Sequence, residues 1–288
     1  LAAAGKINER DLLGMTPLMH AAVAGDANRA AALIEAGADV NLLDEIGRSA
    51  MGCAALDEQG HVEVVKALLA RGADAGLPKG GQTPLHLAGA YGYTDIAKAI
   101  LAARPDLVNA TNKLGQTPLM LAARSGAIDT LAELLARGAD CAATDEDGCA
   151  ALHYAAWSGR GVAAKKLIEA GCDLNPKDKR GRTPLLLAFR SGSVNTWRAL
   201  LHKGAKAPET AEGQTALLSA TVLAGRWNAY GAMAAMEDLW CADDRQAAQW
   251  EQAWDDPARE EGGDITLSRT PQSLPAEYAP QLLAVLSG

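Results

Sequence analysis

The run Gly-Gln-Thr-Pro-Leu occurs at Gly81–Leu85 and again at Gly115–Leu119, and this recurrence constrains the fold more than any other feature of the chain. Close copies stand at Gly14-Met15-Thr16-Pro17-Leu18 and Gly181-Arg182-Thr183-Pro184-Leu185. Looser copies are Gly47-Arg48-Ser49-Ala50-Met51, Gly148-Cys149-Ala150-Ala151-Leu152 and Gly213-Gln214-Thr215-Ala216-Leu217. The third position of each falls at 16, 49, 83, 117, 150, 183 and 215, giving steps of 33, 34, 34, 33, 33 and 32 residues. A unit that short cannot bury its own apolar face. It must stack on its neighbours, so the chain is expected to be a linear array rather than a globule around one core.

A second motif keeps step with the first. It reads Leu33-Ile34-Glu35-Ala36-Gly37-Ala38-Asp39, then Leu68-Leu69-Ala70-Arg71-Gly72-Ala73-Asp74, Leu134–Asp140 and Leu167–Asp173, with a further copy at Leu200–Ala205. Each piece has a physical reason. Thr before Pro opens a helix, because the hydroxyl caps free N–H groups and Pro suits the first helical position. Leu-x-x-Ala-Ala builds a slim face that lets the next unit approach. Gly37, Gly72, Gly138, Gly171 and Gly204 stop a second helix in a left-handed conformation. Asp44–Gly47, Asp145–Gly148 and Asp178–Gly181 carry hairpin-turn chemistry.

The paired motifs resemble those of the ankyrin-repeat family over residues 1–225. The resemblance implies an all-α solenoid of helix-turn-helix units with hairpin tips, about seven in number, the first truncated at its N-terminus. Leu1–Asp11 aligns with the helix end at Leu33–Asp44, so upstream residues are expected; the scar of a cleaved signal peptide is the other reading of Leu1–Ala4. Residues 226–288 are expected to form a helical cap and an extended tail, with Trp240, Trp250 and Trp254 packing over the last apolar face. The second unit carries a two-residue insertion at Leu56–Gln59, and in the third Pro105 is expected to break the helix.

Composition excludes several functions. The formal net charge of −8 disfavours a general nucleic-acid binder. No apolar run is long enough to span a membrane. The five cysteines are odd in number and lack C-x-x-C spacing, so free buried thiols are expected rather than a disulfide framework or a zinc site. His86 and His153 fill the slot after Thr-Pro-Leu or its degenerate form, where the resemblance implies a structural hydrogen bond between units. There is no H-E-x-x-H, phosphate loop, dinucleotide glycine fingerprint or G-x-S-x-G, so neither an enzyme nor a cofactor is expected.

The function that the resemblance implies is a non-catalytic scaffold that binds a partner protein with its hairpin tips and inner-helix face. The candidate contact residues are Leu12, Leu13, Met15, Ile46, Arg48, Tyr91, Leu114, Arg124, Trp157, Lys179, Arg180, Arg182 and Arg190. Leu12, Leu13, Met15, Ile46 and Leu114 are apolar where a tip should be polar. Asp145, Glu146 and Asp147 make one unit's tip acidic, and Lys177, Lys179, Arg180, Arg182 and Arg190 make the next unit basic. Two other roles fit the same architecture: an immunity or inhibitor protein masking a toxin or enzyme, and the repeat portion of a larger secreted effector or enzyme. Alanine richness, the Arg–Lys balance and the lack of eukaryotic linkers point to a bacterial protein, and the cysteines to a reducing compartment. A cytoplasmic protein, monomeric without its partner, is expected, although a secreted or periplasmic one stays open because the natural N-terminus is missing.

Overall fold

A computed structural model describes residues 6–56, 60–76 and 81–206. Six helix pairs follow one another. The inner helices are α1 (Pro17–Val23), α3 (Ala50–Ala54), α5 (Pro84–Tyr91), α7 (Pro118–Ser125), α9 (Ala151–Trp157) and α11 (Pro184–Arg190). Each is followed by its outer partner: α2 (Ala27–Glu35), α4 (Val62–Ala70), α6 (Thr94–Ala103), α8 (Ile128–Ala136), α10 (Gly161–Glu169) and α12 (Val194–His202). Inner helices pack side by side in chain order, and so do the outer ones. The arrangement among the described residues is therefore the stacked helical array that the period implies. The seventh copy at Gly213–Leu217, the boundary at residue 225 and the cap of 226–288 lie outside the described residues, as do residues 57–59 of the inserted turn.

The helices begin where the residues dictate. Thr16, Thr117 and Thr183 accept the N–H of Met19, Met120 and Leu186, and Ser49 accepts that of Gly52. Pro occupies the first turn after Thr16, Thr83, Thr117 and Thr183. On the outer helices Leu68, Leu101, Leu134, Leu167 and Leu200 recur every 33 residues, and each is at most 1% exposed. Burying each contributes about 2 kcal/mol. The inner helices meet through small residues: Ala22, Ala55, Ala123 and Ala156 are fully buried. Gly89 takes that place in the third repeat, where a Cβ would stand 2.6 Å from the Pro118 carbonyl oxygen. Phe189 takes it in the sixth and packs against Trp197, ring centroids 5.6 Å apart. Pro105 ends α6 as expected and opens a short 3-10 turn, Pro105–Asn109.

Three sets of bonds tie one repeat to the next. Buried histidines make the first. His86 Nδ1 accepts the Thr83 N–H, and Nε2 donates to the Gln116 carbonyl of the following repeat at 2.9 Å. His153 does the same with the Ala150 N–H and the Arg182 carbonyl. Burial lowers the pKa of both imidazoles. The second set joins the tips: the N–H groups of Glu45, Glu146 and Lys179 donate to the carbonyls of Leu13, Leu114 and Asp147.

The third set runs along the return loops behind the outer helices. Asn8, Asn41, Asn109 and Asn175 accept the backbone N–H of Asp39, Asp74, Asp140 and Lys206 at 2.7–2.9 Å. Where the third loop lacks such a partner, Arg104 reaches Asp74 at 3.0 Å. At the remaining junction Ala142 stands where four of the loops have Asn, and Cys141 is bonded to Cys172, with Cα atoms 5.3 Å apart. This corrects the expectation that these cysteines are free thiols. Residues 31 apart look remote on the chain. In this array they are neighbours, as Asn109 and Asp140 also show.

Candidate interaction face

The hairpin tips are held by one acceptor. Asp11, Asp44, Asn112, Asp145 and Asp178 each accept the N–H four residues on, at 2.7–2.9 Å. The chain reverses at a glycine with positive φ, such as Gly115 (φ 72°). A Cβ there would lie 2.9 Å from the Glu146 nitrogen of the next tip. Packed tips therefore leave no room for another residue type at that point.

The acceptor also decides which tip side chains are available. Where that acceptor is present, the residue after the tip glycine closes the loop and is drawn in. Met15 is only 7% exposed and so is not a surface residue, contrary to the sequence expectation. Gln116 is buried as well. Arg48 is half-buried, its Nε 2.7 Å from Asp44 Oδ2. Arg182 is half-buried too, its Nε 2.6 Å from Asp178 Oδ2, and its guanidinium carbon lies 5.8 Å from the centre of the Trp157 ring. Both arginines are thus bound within the chain, which alters the free contact role expected for them. Burial alone would raise the Asp178 carboxyl, but hydrogen bonds from Arg182 and Arg180 outweigh it and hold the pKa below the usual value.

The other candidates are exposed. Leu12 is 97% and Leu114 58% accessible, and Leu13 and Ile46 also stand out on their tips. Tyr91 and Trp157 are exposed at the ends of α5 and α9, with Tyr91 stacked on Tyr93, ring centroids 5.7 Å apart. They do not share a register: Tyr91 immediately precedes its inter-helix glycine, Gly92, whereas Trp157 lies two residues before Gly159. Arg124, Arg190, Lys179 and Arg180 are exposed.

Sequence reasoning missed a polar chain that links these elements. Asn112 donates to Gln116 Oε1 at 2.9 Å, Gln116 Nε2 donates to the Tyr154 hydroxyl at 2.7 Å, and that hydroxyl donates to Asp145. Burial, then the bond to Asp145, push the Tyr154 phenol well above its ordinary value. Cys149, beside Asp145 and Asp178, is pushed up to about 11, chiefly by burial, so it is no activated nucleophile. Tyr154 follows the histidine slot, where a tyrosine in an apolar register was the available signal. No cluster of metal-binding groups and no helix long and apolar enough to cross a membrane occurs among the described residues.

The geometry and the sequence comparisons agree. The family profile described as Ankyrin repeats (3 copies) matches residues 1–79, 32–109, 104–178 and 152–229. The chain belongs to the ankyrin-repeat family. It is 34% identical over 198 residues to neurogenic locus notch homolog protein 1 of Xenopus tropicalis, covering 63% of this chain and 8% of that protein. It is 31% identical over 145 residues to a transient receptor potential cation channel subfamily A member 1 homolog of Caenorhabditis elegans, covering 48% and 11%. The chain thus matches only a small part of either relative. Among solved structures it resembles the ankyrin repeat protein EF0377 (29% identity, TM-score 0.59, covering 64% of this chain and 96% of that one). It also resembles the human ASB11 ankyrin repeat domain (27%, TM-score 0.61, covering 70% and 90%). Ankyrin repeats are a general protein–protein interaction module.

Proposed function

We propose that this chain is a binding scaffold that holds a partner protein against its tips and inner helices and carries out no chemistry itself. One observation supports this most. Eight large hydrophobic side chains are exposed among the described residues, and seven of them (Leu12, Leu13, Val23, Ile46, Tyr91, Leu114 and Trp157) lie on tips or inner helices. Only Val162 lies on an outer helix. A solvated surface would scatter such residues, whereas a contact surface gathers them on one side. Aromatic anchors of this kind dominate binding energy where they become covered, so Trp157 and Tyr91 are the residues to remove first.

Affinity capture with the full chain tests the reading. Wild type is expected to retain a protein that Trp157→Ala and Leu114→Ser each release, while circular dichroism shows both variants folded. Identical capture by all three proteins, or no capture by any, would count against it.

A further inference from the structure

The tips of repeats four to six expose side chains in a fixed order. Lys113, Glu146 and Lys179 occupy equivalent places at steps of 33 residues, and Leu114, Asp147 and Arg180 follow them. All six are exposed. Backbone bonds hold the order. The Glu146 N–H donates to the Leu114 carbonyl at 3.0 Å, and the Lys179 N–H donates to the Asp147 carbonyl at 2.9 Å. Along the tips the row therefore reads basic, apolar, acidic, acidic, basic, basic.

These charges are not used inside the chain. The carboxylates at the base of the tips are occupied: Asp145 accepts the Cys149 N–H and the Tyr154 hydroxyl, and Asp178 accepts the Arg182 Nε–H. At the apex, none of Lys113, Glu146, Asp147, Lys179 and Arg180 forms a salt bridge with a described residue.

On the scaffold reading, we propose that these tips bind an extended segment of the partner protein whose charges run acidic, basic, acidic, with an apolar side chain against Leu114. A segment of one sign fits poorly. If acidic it meets like charge at Glu146 and Asp147, and if basic it meets like charge at Lys113, Lys179 and Arg180. The acidic tip disfavours the phosphates of a nucleic acid in the same way. Spacing makes the pattern specific. Packed helices lie about 8–10 Å apart. A polyproline II chain turns about every three residues and rises about 3.1 Å per residue, so residues three apart share one side at about 9 Å. The segment is acidic-apolar-x-basic-x-x-acidic, read in either chain direction. A second copy of this chain fits less well. Two-fold symmetry would set Glu146 and Asp147 against Lys179 and Arg180 of the other copy, a patch far below the roughly 20–30 residues a side of a stable interface.

A displayed library of seven-residue peptides in a proline-rich frame, varied among aspartate, lysine and serine at both ends and at the centre, is screened against the full chain. Peptides acidic at both ends and basic at the centre are expected to be enriched. The best of them, made synthetically, should bind the double variant Glu146→Lys, Asp147→Lys about tenfold or more weakly than wild type. It should also weaken when salt is raised from about 0.1 M to about 1 M. The same peptide with an acidic centre should bind that double variant better than it binds wild type. A second double variant, Lys179→Glu with Arg180→Glu, should reject the original peptide and accept one with lysine at the matching end. Circular dichroism should show both variants folded, since backbone groups and not these side chains join the tips. Enrichment of wholly acidic, wholly basic or neutral peptides, no enrichment, or loss of binding that no charge swap restores would overturn the inference. So would a dimer of the chain that Glu146→Lys, Asp147→Lys dissociates, because a second copy would then occupy the tips. A captured protein released by Trp157→Ala and kept by both tip variants would overturn it while leaving the scaffold reading intact. A chain that captures no protein in the preceding experiment removes both.

Discussion

The Tyr154 hydroxyl accepts from Gln116 in one repeat and donates to Asp145 in the next tip, so a single oxygen bridges two units. Tyr154→Phe keeps the ring and removes the bridge, leaving a carboxylate and an amide short of a partner in a half-buried place. The expected loss is about 1–2 kcal/mol, read as a lower midpoint in urea unfolding. An unchanged midpoint would mean that water replaces the hydroxyl without cost. At this scale sequence reading succeeds unevenly. The roles of His86 and His153 follow from their slot, because one imidazole in one register can meet only one carbonyl. Met15 and Arg182 were misjudged because exposure at a tip depends on the acceptor four residues earlier. Gln82 supports that explanation: it is exposed, and it follows the tip in which Pro78 stands where the first six tips otherwise have Asp or Asn.

Among elements, the return loops show how one structural need is met by different chemistry. Four junctions use an asparagine amide, one an arginine–carboxylate pair and one a disulfide. The disulfide closes a 31-residue separation, which corresponds to about 3–4 kcal/mol of restricted unfolded chain. Reduction is expected to lower stability by roughly that amount and to speed hydrogen exchange first in α8 and α10. Denatured chain should gain two reactive thiols after reduction. Equal thiol counts before and after would show that the bond is absent. A cross-link of this kind belongs to an oxidising setting and sits uneasily with the cytoplasmic location expected from composition. The cysteines were unreadable in isolation because their distance is set by the period of the array, not by their own spacing. The Asn-to-Ala change at position 142 was the available clue.

Over the whole molecule, the period alone carried the fold: seven motif copies at a nearly constant step imply the array, and six of the units lie among the described residues. Stability then depends on pH through groups repeated along it. His86 and His153 are held neutral by burial, with pKa values below the ordinary one. The unfolded chain takes up protons near pH 6.5 that the folded chain refuses. Stability is therefore full at neutral pH and should fall as pH drops below about 6.5, continuing until the folded imidazoles themselves protonate. Replacing both histidines by glutamine should flatten that slope between pH 7 and 5, and a flat profile in the unaltered protein would contradict this account. The occupant of the binding face was less legible than the fold, because a repeat period fixes where side chains stand and not what meets them.

The mixed fastenings along the return loops make the seams of the stack separately addressable. A reductant acts on the one between repeats four and five, and high salt weakens the one between repeats two and three. The amide-fastened seams respond to neither. Since units touch only those beside them, a change of surroundings can loosen a single chosen seam while the neighbouring ones stay shut.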